Sequence, residues 1–252
     1  MLGAQLYTVR DFIKTVDGVA ETLEKIADIG YDGVEISALG PVDPVRVADL
    51  IEDSGLRVAG THVAWSRYLN ELDEVIGEHK TWGCAHAGVG GLPAEYYSLE
   101  GLDRLLKELS PIVKKMALEG IDFSYHNHNH ELARYGEKTW LQMLYEKAEP
   151  EMLKAEIDVY WIQAGGGDPS DWIRRCAGRE PLLHLKDMAV SRGREQRFAE
   201  VGEGNLNWKA IIEAAEEGGV EWYIVEQDSC YGRDPFESLA ISYRNLKAMK
   251  VD

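Results

Sequence analysis

The chain of 252 residues is poor in cysteine, short of positive charge and without a long apolar run. Cys84, Cys176 and Cys230 are an odd number with no Cys-x-x-Cys pair, which argues against a disulfide framework and suits free thiols in a reducing compartment. Lys and Arg total 27 against 44 Asp and Glu, and the formal net charge of -17 repels phosphate backbones and anionic lipid. No nucleic acid and no membrane surface is therefore expected as a partner, although a small anionic substrate in a locally basic pocket stays open. No segment approaches the roughly 20 apolar residues of a membrane span. The opening "MLGAQLYTV" carries no basic leader, so a soluble, cytoplasmic protein is expected. Low-complexity linkers and fixed-period repeats are missing too, which disfavours a solenoid and points to one domain over residues 1–252.

What is present suffices for a large core: 45% of residues are hydrophobic and 9% aromatic, which excludes disorder. Short β-like runs alternate with helical periodicity eight times. The runs are Leu2 to Val9, Tyr31 to Ser37, Leu56 to Ala64, Trp82 to Gly90, Gly120 to His128, Leu153 to Tyr160, Pro181 to Asp187 and Glu221 to Asp228. Between them, Leu102, Leu105, Leu106 and Leu109 recur at helical spacing, with Gly120 as a closing cap. "DPSD" from Asp168 and "DPFE" from Asp234 are helix starts, with an N-cap Asp followed by Pro. Eight βα units in one chain of this length predict the α/β class and a single-domain (β/α)8 TIM barrel, because open doubly wound sheets usually stop at five or six strands.

Strand alternation then says which side chains face the barrel interior. It turns His126 and His128 inward against Phe123 and Tyr125, Glu156 and Asp158 against Ile157, His184 and Lys186 against Leu183 and Leu185, and Glu226 and Asp228 against Val225. Gln5, Tyr7, Glu35, His62 and His86 join the inward set. A closed core does not tolerate so many unpaired ionisable groups, so they should meet a wet pocket, a metal or one another. His126, Asp158, His184 and Glu226 stand at comparable heights on strands five to eight, a plausible set of ligands for one divalent cation. The bland readings are a packing or substrate-contact role for His62 and His86, loop capping for Asp158 and Glu226, and a loop position for His130.

The pieces "GAQLYTVRD", "IADIGYDGVEI", "GTHVAW", "SYHNHNHEL", "EIDVYWIQAGGGDP", "LLHLKD" and "VGEGNLNW" resemble the xylose isomerase-like barrel superfamily, in particular its sugar phosphate isomerase/epimerase group, over essentially the whole chain. The resemblance implies a metal held by Glu, Asp, His and Glu from strands five to eight, with the two glutamates exchanging substrate protons. Asp158, His184 and Glu226 match three of these. The first glutamate has no match; its place holds "YHNH", with His126 the first candidate ligand and His128 the second.

The expected activity is divalent-metal-dependent isomerisation or epimerisation of a keto sugar or related carbohydrate through an enediolate. Glu226 is the candidate base, His128 or His62 the partner acid, and Lys186 a group for a substrate oxygen. Glu35, Trp65, Trp161, Gln163 and Gln5 are candidate substrate contacts. Mixed imidazole and carboxylate ligands favour Mn, Co or Zn over Mg. The alternative is a metal-dependent lyase, an inosose dehydratase-like enzyme or one eliminating from a 3-keto-glycoside, since the paired glutamate is missing. A non-catalytic sugar-binding subunit and an endonuclease IV-like nuclease rank lower, the latter opposed by the charge. Self-association into a homo-oligomer is left open.

Overall fold

The structure, a computed structural model, describes residues 1–251. Eight parallel strands close into a barrel: β1 (Leu2–Gln5), β2 (Gly33–Ile36), β3 (Arg57–His62), β4 (His86–Val89), β5 (Asp122–His126), β6 (Lys154–Asp158), β7 (Leu182–Leu185) and β8 (Trp222–Val225). Each pairs with its sequence neighbours, and β8 closes the ring on β1. Helices cover the outside, as a single (β/α)8 domain requires.

The strands are shorter than the sequence runs, and local chemistry explains where they stop. After β1 the side chain of Gln5 accepts from the Tyr7 amide, and residues Leu6–Val9 wind into a 3-10 turn. The fourth run begins inside a helix: Leu72–Trp82 is helical and Gly83, at φ 62°, caps it in the left-handed region. The sixth stops at Asp158, whose Oδ1 accepts from the Trp161 amide and caps the helix Val159–Ala164. Tyr160 therefore sits on a helix rather than on an inward strand position. His86, at the start of β4, lies at the N-terminal mouth, its Nε2 4.0 Å from Glu221.

Both Asp-Pro signals begin helices, Asp168 capping Pro169–Arg175 and Asp234 capping Pro235–Ala248. The long helix Leu99–Ala117 starts at Ser98, whose side chain accepts from the Gly101 amide, and buries Leu102, Leu105 and Leu109. The main core lies between this helical layer and the outward faces of the strands. Inside the barrel, Leu182, Trp222 and Ile224 pack with Ala59 into a smaller apolar plug at the N-terminal end. Above that plug the interior becomes polar.

Two short antiparallel ribbons decorate the C-terminal face, the longer pairing Asp187–Val190 with Gln196–Ala199. Its root is tied by Asp187, a buried carboxylate that accepts from the amides of Gly202, Gly204 and Leu206 and from Trp208 Nε1. The "VGEGNLNW" segment thereby wraps around one acid. No described helix is long and apolar enough to cross a membrane.

Candidate active site

The polar interior is built in two tiers. The lower tier centres on His184, which β7 delivers fully buried: its Nε2 lies 2.6 Å from Glu35 Oε2 and 2.7 Å from Glu156 Oε1. Gln5 Nε2 donates to Glu35 Oε2 at 2.5 Å, and His62 Nε2 lies 3.2 Å from Glu156 Oε1. Room for these carboxylates comes from missing side chains. A Cβ on Gly60 would stand 3.1 Å from Glu35 Oε1, and one on Gly88 would stand 2.9 Å from Glu156 Oε2. Glycines on β3 and β4 thus leave the space that β2 and β6 fill with charge.

Electrostatics in this tier follow from burial and pairing. Burial, helped by Glu156, pushes Glu35 up to about 7. His184 and His62 would be driven down by burial alone, but Glu35 and Glu156 outweigh it and raise both imidazoles. Burial also acts on Glu156, yet His62 and His184 hold its carboxyl well below the usual range.

The upper tier is the floor of a cavity of about 380 Å³ at the C-terminal mouth, whose wall includes Tyr7, His62, His126, His128, Lys186 and Glu226. Donor atoms of His126, Asp158, His184 and Glu226 all lie within 4.8 Å of one another. His184 Nδ1 is 3.0 Å from Glu226 Oε2, and His126 Nε2 is 3.8 Å from Asp158 Oδ2. Asp158 Oδ2 and His126 Nδ1 are buried without a hydrogen-bond partner, as expected of groups shaped for something else. Burial first, then His184, keeps His126 neutral, the state a ligand needs. Burial lifts Asp158 to about 6 against the pull of Lys186.

These four residues fit a divalent cation. Lys186 Nζ lies 3.1 Å from Asp158 Oδ2, 2.8 Å from Glu226 Oε2 and 3.1 Å from Asp228 Oδ2. Three carboxylates thus face one ammonium, with the His184 imidazole as a second neighbour of Glu226. A second group, His62, His126, Glu156 and His184, is equally compact. It competes poorly, because the His184 nitrogen it would use already faces Glu35, a carboxylate outside the group. Carboxylates on Nε2 with the metal on Nδ1 is the arrangement that orients a ligating imidazole.

The remaining candidates divide by depth. His62, His128 and Lys186 reach the cavity. His128 is driven down to about 3, by burial first and then by Lys186, and so stands as a neutral imidazole. Gln5 and Glu35 point into the barrel as alternation predicts, but at full burial they sit under the floor as supports for His184. Trp65 is buried against Tyr68, Tyr96 and Phe123, away from the cavity wall. Gln163 is exposed on its helix. Trp161 stands beside the site, its ring centroid 5.3 Å from that of His128 and 5.7 Å from Lys186 Nζ.

Two residues matter more than the sequence reading allowed: Glu156, placed inward without a role, and Asp228, the third partner of Lys186. Two inward acids two positions apart on β6 were the available signal for Glu156. His130 lies on a 3-10 turn beyond β5, and Glu131 folds back under it, accepting from Tyr125 Oη (2.8 Å) and the His128 amide (3.0 Å).

Comparison with known proteins places this geometry. The model of the xylose isomerase-like TIM barrel family matches residues 23–248. The chain belongs to that family. An inosose dehydratase of Lacticaseibacillus casei is 23% identical over 271 aligned positions, covering 91% of this chain and 87% of the dehydratase. Among solved structures, a sugar phosphate isomerase/epimerase from Parabacteroides distasonis superposes with a TM-score of 0.81 at 24% identity, covering 98% of this chain and 93% of that one. An L-ribulose 3-epimerase superposes at 0.74 with 18% identity and coverage of 98% and 93%. At these identities the superpositions establish the shared barrel and leave the reaction to the site.

Proposed function

We propose that this member of the family is a divalent-metal-dependent isomerase or epimerase acting on a keto sugar or related carbohydrate. The observation that carries the reading is the convergence of His126, Asp158, His184 and Glu226 under a cavity wide enough for a monosaccharide. A cation held by these residues, Mn, Co or Zn in preference to Mg, supplies polarisation of the substrate carbonyl.

The chain's own groups perform the proton chemistry. Burial favours the neutral form of Glu226, but Lys186 and His184 outweigh it and keep the carboxylate ionised. Its Oε2 is turned toward His184 Nδ1, 3.0 Å away, so Oε1 is the oxygen that takes the proton next to the carbonyl. His62, whose proton is retained by Glu35 and Glu156, is the acid that serves the other side. Neutral His128 donates or accepts a hydrogen bond to a hydroxyl, and Lys186 offers its ammonium to a substrate oxygen.

A lyase is the second reading. It is favoured by His126 standing where a paired glutamate would return the proton, and by the similarity to an inosose dehydratase. Both share the first proton removal and differ in what leaves. NMR of candidate keto sugars in D₂O separates them: deuterium uptake with the carbon skeleton and hydroxyls retained supports isomerisation, and loss of water or an aglycone supports elimination. Absence of exchange and of turnover across keto sugars and keto cyclitols would count against both and favour a sugar-binding subunit.

A further inference from the structure

Two of the acids that would hold a metal are already in contact with a cation belonging to the protein. Lys186 is 1% exposed, and its Nζ touches Asp158 Oδ2 and Glu226 Oε2 at 3.1 and 2.8 Å. The third contact, to Asp228 Oδ2 at 3.1 Å, has the alignment of a hydrogen bond. The contact to Asp158 does not: Oδ2 is within ion-pair distance of Nζ, yet it has no hydrogen-bond partner. Lys186 is therefore held by Asp228 and, at its shortest contact of 2.8 Å, by Glu226, and placed by charge alone against Asp158.

Asp228 is also the open member of the three, its side chain 25% exposed at the cavity edge, whereas Asp158 and Glu226 are 0% and 5% exposed. Like charges a few ångströms apart repel strongly even at protein-like screening, so an ammonium and a divalent ion do not share the same two oxygens at low cost.

We propose that Lys186 is a built-in competitor for the metal, which yields Asp158 and Glu226 to an arriving divalent cation and withdraws onto Asp228. This rests on the metal reading given above and adds to it a residue that sets how tightly the metal is held. The lysine keeps the acids paired while the chain folds, which spares the cost of burying them uncompensated. Metal binding is then an exchange of one cation for another. Asp228 acts as the receiving side: with it, Lys186 has somewhere to go, and without it the ammonium stays on the two acids that the metal requires.

The test is a titration of the folded chain with Co²⁺, followed by its visible absorption, for the native sequence, Lys186→Met and Asp228→Asn, together with a crystal structure of the native chain grown with Co²⁺. Lys186→Met is expected to bind Co²⁺ about tenfold tighter or more, and Asp228→Asn several-fold more weakly. In the Co²⁺-loaded structure, Nζ should keep Asp228 and lie beyond hydrogen-bond reach of both Asp158 Oδ2 and Glu226 Oε2. Equal affinities for native and Lys186→Met, or an Nζ still on both acids beside the metal, overturns the competition and leaves the metal site standing. Uptake by Lys186→Met alone overturns the yielding of Lys186 to the metal, and with it metal dependence of the native chain. No uptake by either overturns both. Should Lys186→Met not fold, the Asp228→Asn affinity and the loaded structure decide by the same criteria.

Discussion

His184 Nε2 lies 2.6 Å from Glu35 Oε2, although the two residues are 149 positions apart in the chain. The contact makes β2 a supporting wall for a group presented by β7, and with Glu156 it fixes which imidazole nitrogen is left for the upper tier. A carboxylate buried beneath the cavity floor thus orients the imidazole above it.

The metal set gives the first prediction. Glu226→Gln and His126→Ala should each weaken Co²⁺ or Zn²⁺ binding by about 100-fold and abolish turnover while the far-UV circular dichroism stays native, since each removes one donor from a cluster of four. Metal analysis of the native chain also sorts the classes. About one transition metal per chain fits the enzyme, about three fits a nuclease-like site, and none fits a binding module. Full occupancy in both variants would remove these residues from the ligand set.

Gly88→Ala tests how the lower tier is accommodated. The added Cβ would meet Glu156 Oε2 at 2.9 Å and the Thr61 carbonyl oxygen at 3.0 Å, and the second of these is backbone that cannot swing away. A loss of about 2 kcal/mol is expected from overpacking, seen as a lower urea midpoint with an unchanged slope. An unaltered midpoint would mean that the strands have slack at this level.

Much of this was readable from the chain. The eight alternations specify the barrel because each strand and helix repeats the same two periodicities, and alternation correctly turned His126, Asp158, His184 and Glu226 inward. Depth was not readable: alternation tells which face a side chain takes and not how far up the barrel it stands, so Gln5 and Glu35 look like cavity residues until the floor is seen. Trp65 stands three residues past the end of β3, yet the helix Trp65–Asn70 starts there and turns its ring into the core. The boundary at Trp82 was obscured because Gly83 and Cys84 suit a strand as well as a helix end.

Glu131 provides a pH prediction away from the metal set. Burial raises its carboxyl from an ordinary 4.5 to about 7, against the pull of its bonds to Tyr125 and the His128 amide. The folded state therefore binds the proton more tightly than the unfolded one. Its contribution to stability is complete below pH 4.5 and is lost as the pH rises through 7, a swing of up to about 3 kcal/mol. Glu131→Gln should gain stability relative to the native chain between pH 5 and pH 8 in denaturant titrations. A native-minus-variant difference that stays constant over that range would show that the carboxyl titrates normally.

Arg179 supplies a stability prediction at the opposite mouth of the barrel. It is 8% exposed, and its guanidinium donates to the carbonyl oxygens of Tyr145, Ala148 and Leu153, where the chain leaves one helix and enters β6. Lysine cannot reproduce a planar fork, so Arg179→Lys should cost about 3 kcal/mol through carbonyls left unpaired. Hydrogen exchange should report it first, as faster opening of residues 145–153, and unchanged exchange there would place the stability of this corner elsewhere.

Asp187, one residue beyond Lys186, binds the returning segment at Gly202, Gly204, Leu206 and Trp208. The whole excursion from β7 is pinched shut at its base, while its tip, residues 191–195, projects outward. Above the pinch, Phe198 on the return strand packs against Trp161, whose ring lies 5.7 Å from the Lys186 ammonium, so the ribbon's body touches the site while its tip does not. The exposed turn at residues 192–195 is therefore the part of the ribbon where foreign sequence should be accepted, whereas changes around Phe198 should be felt at the site.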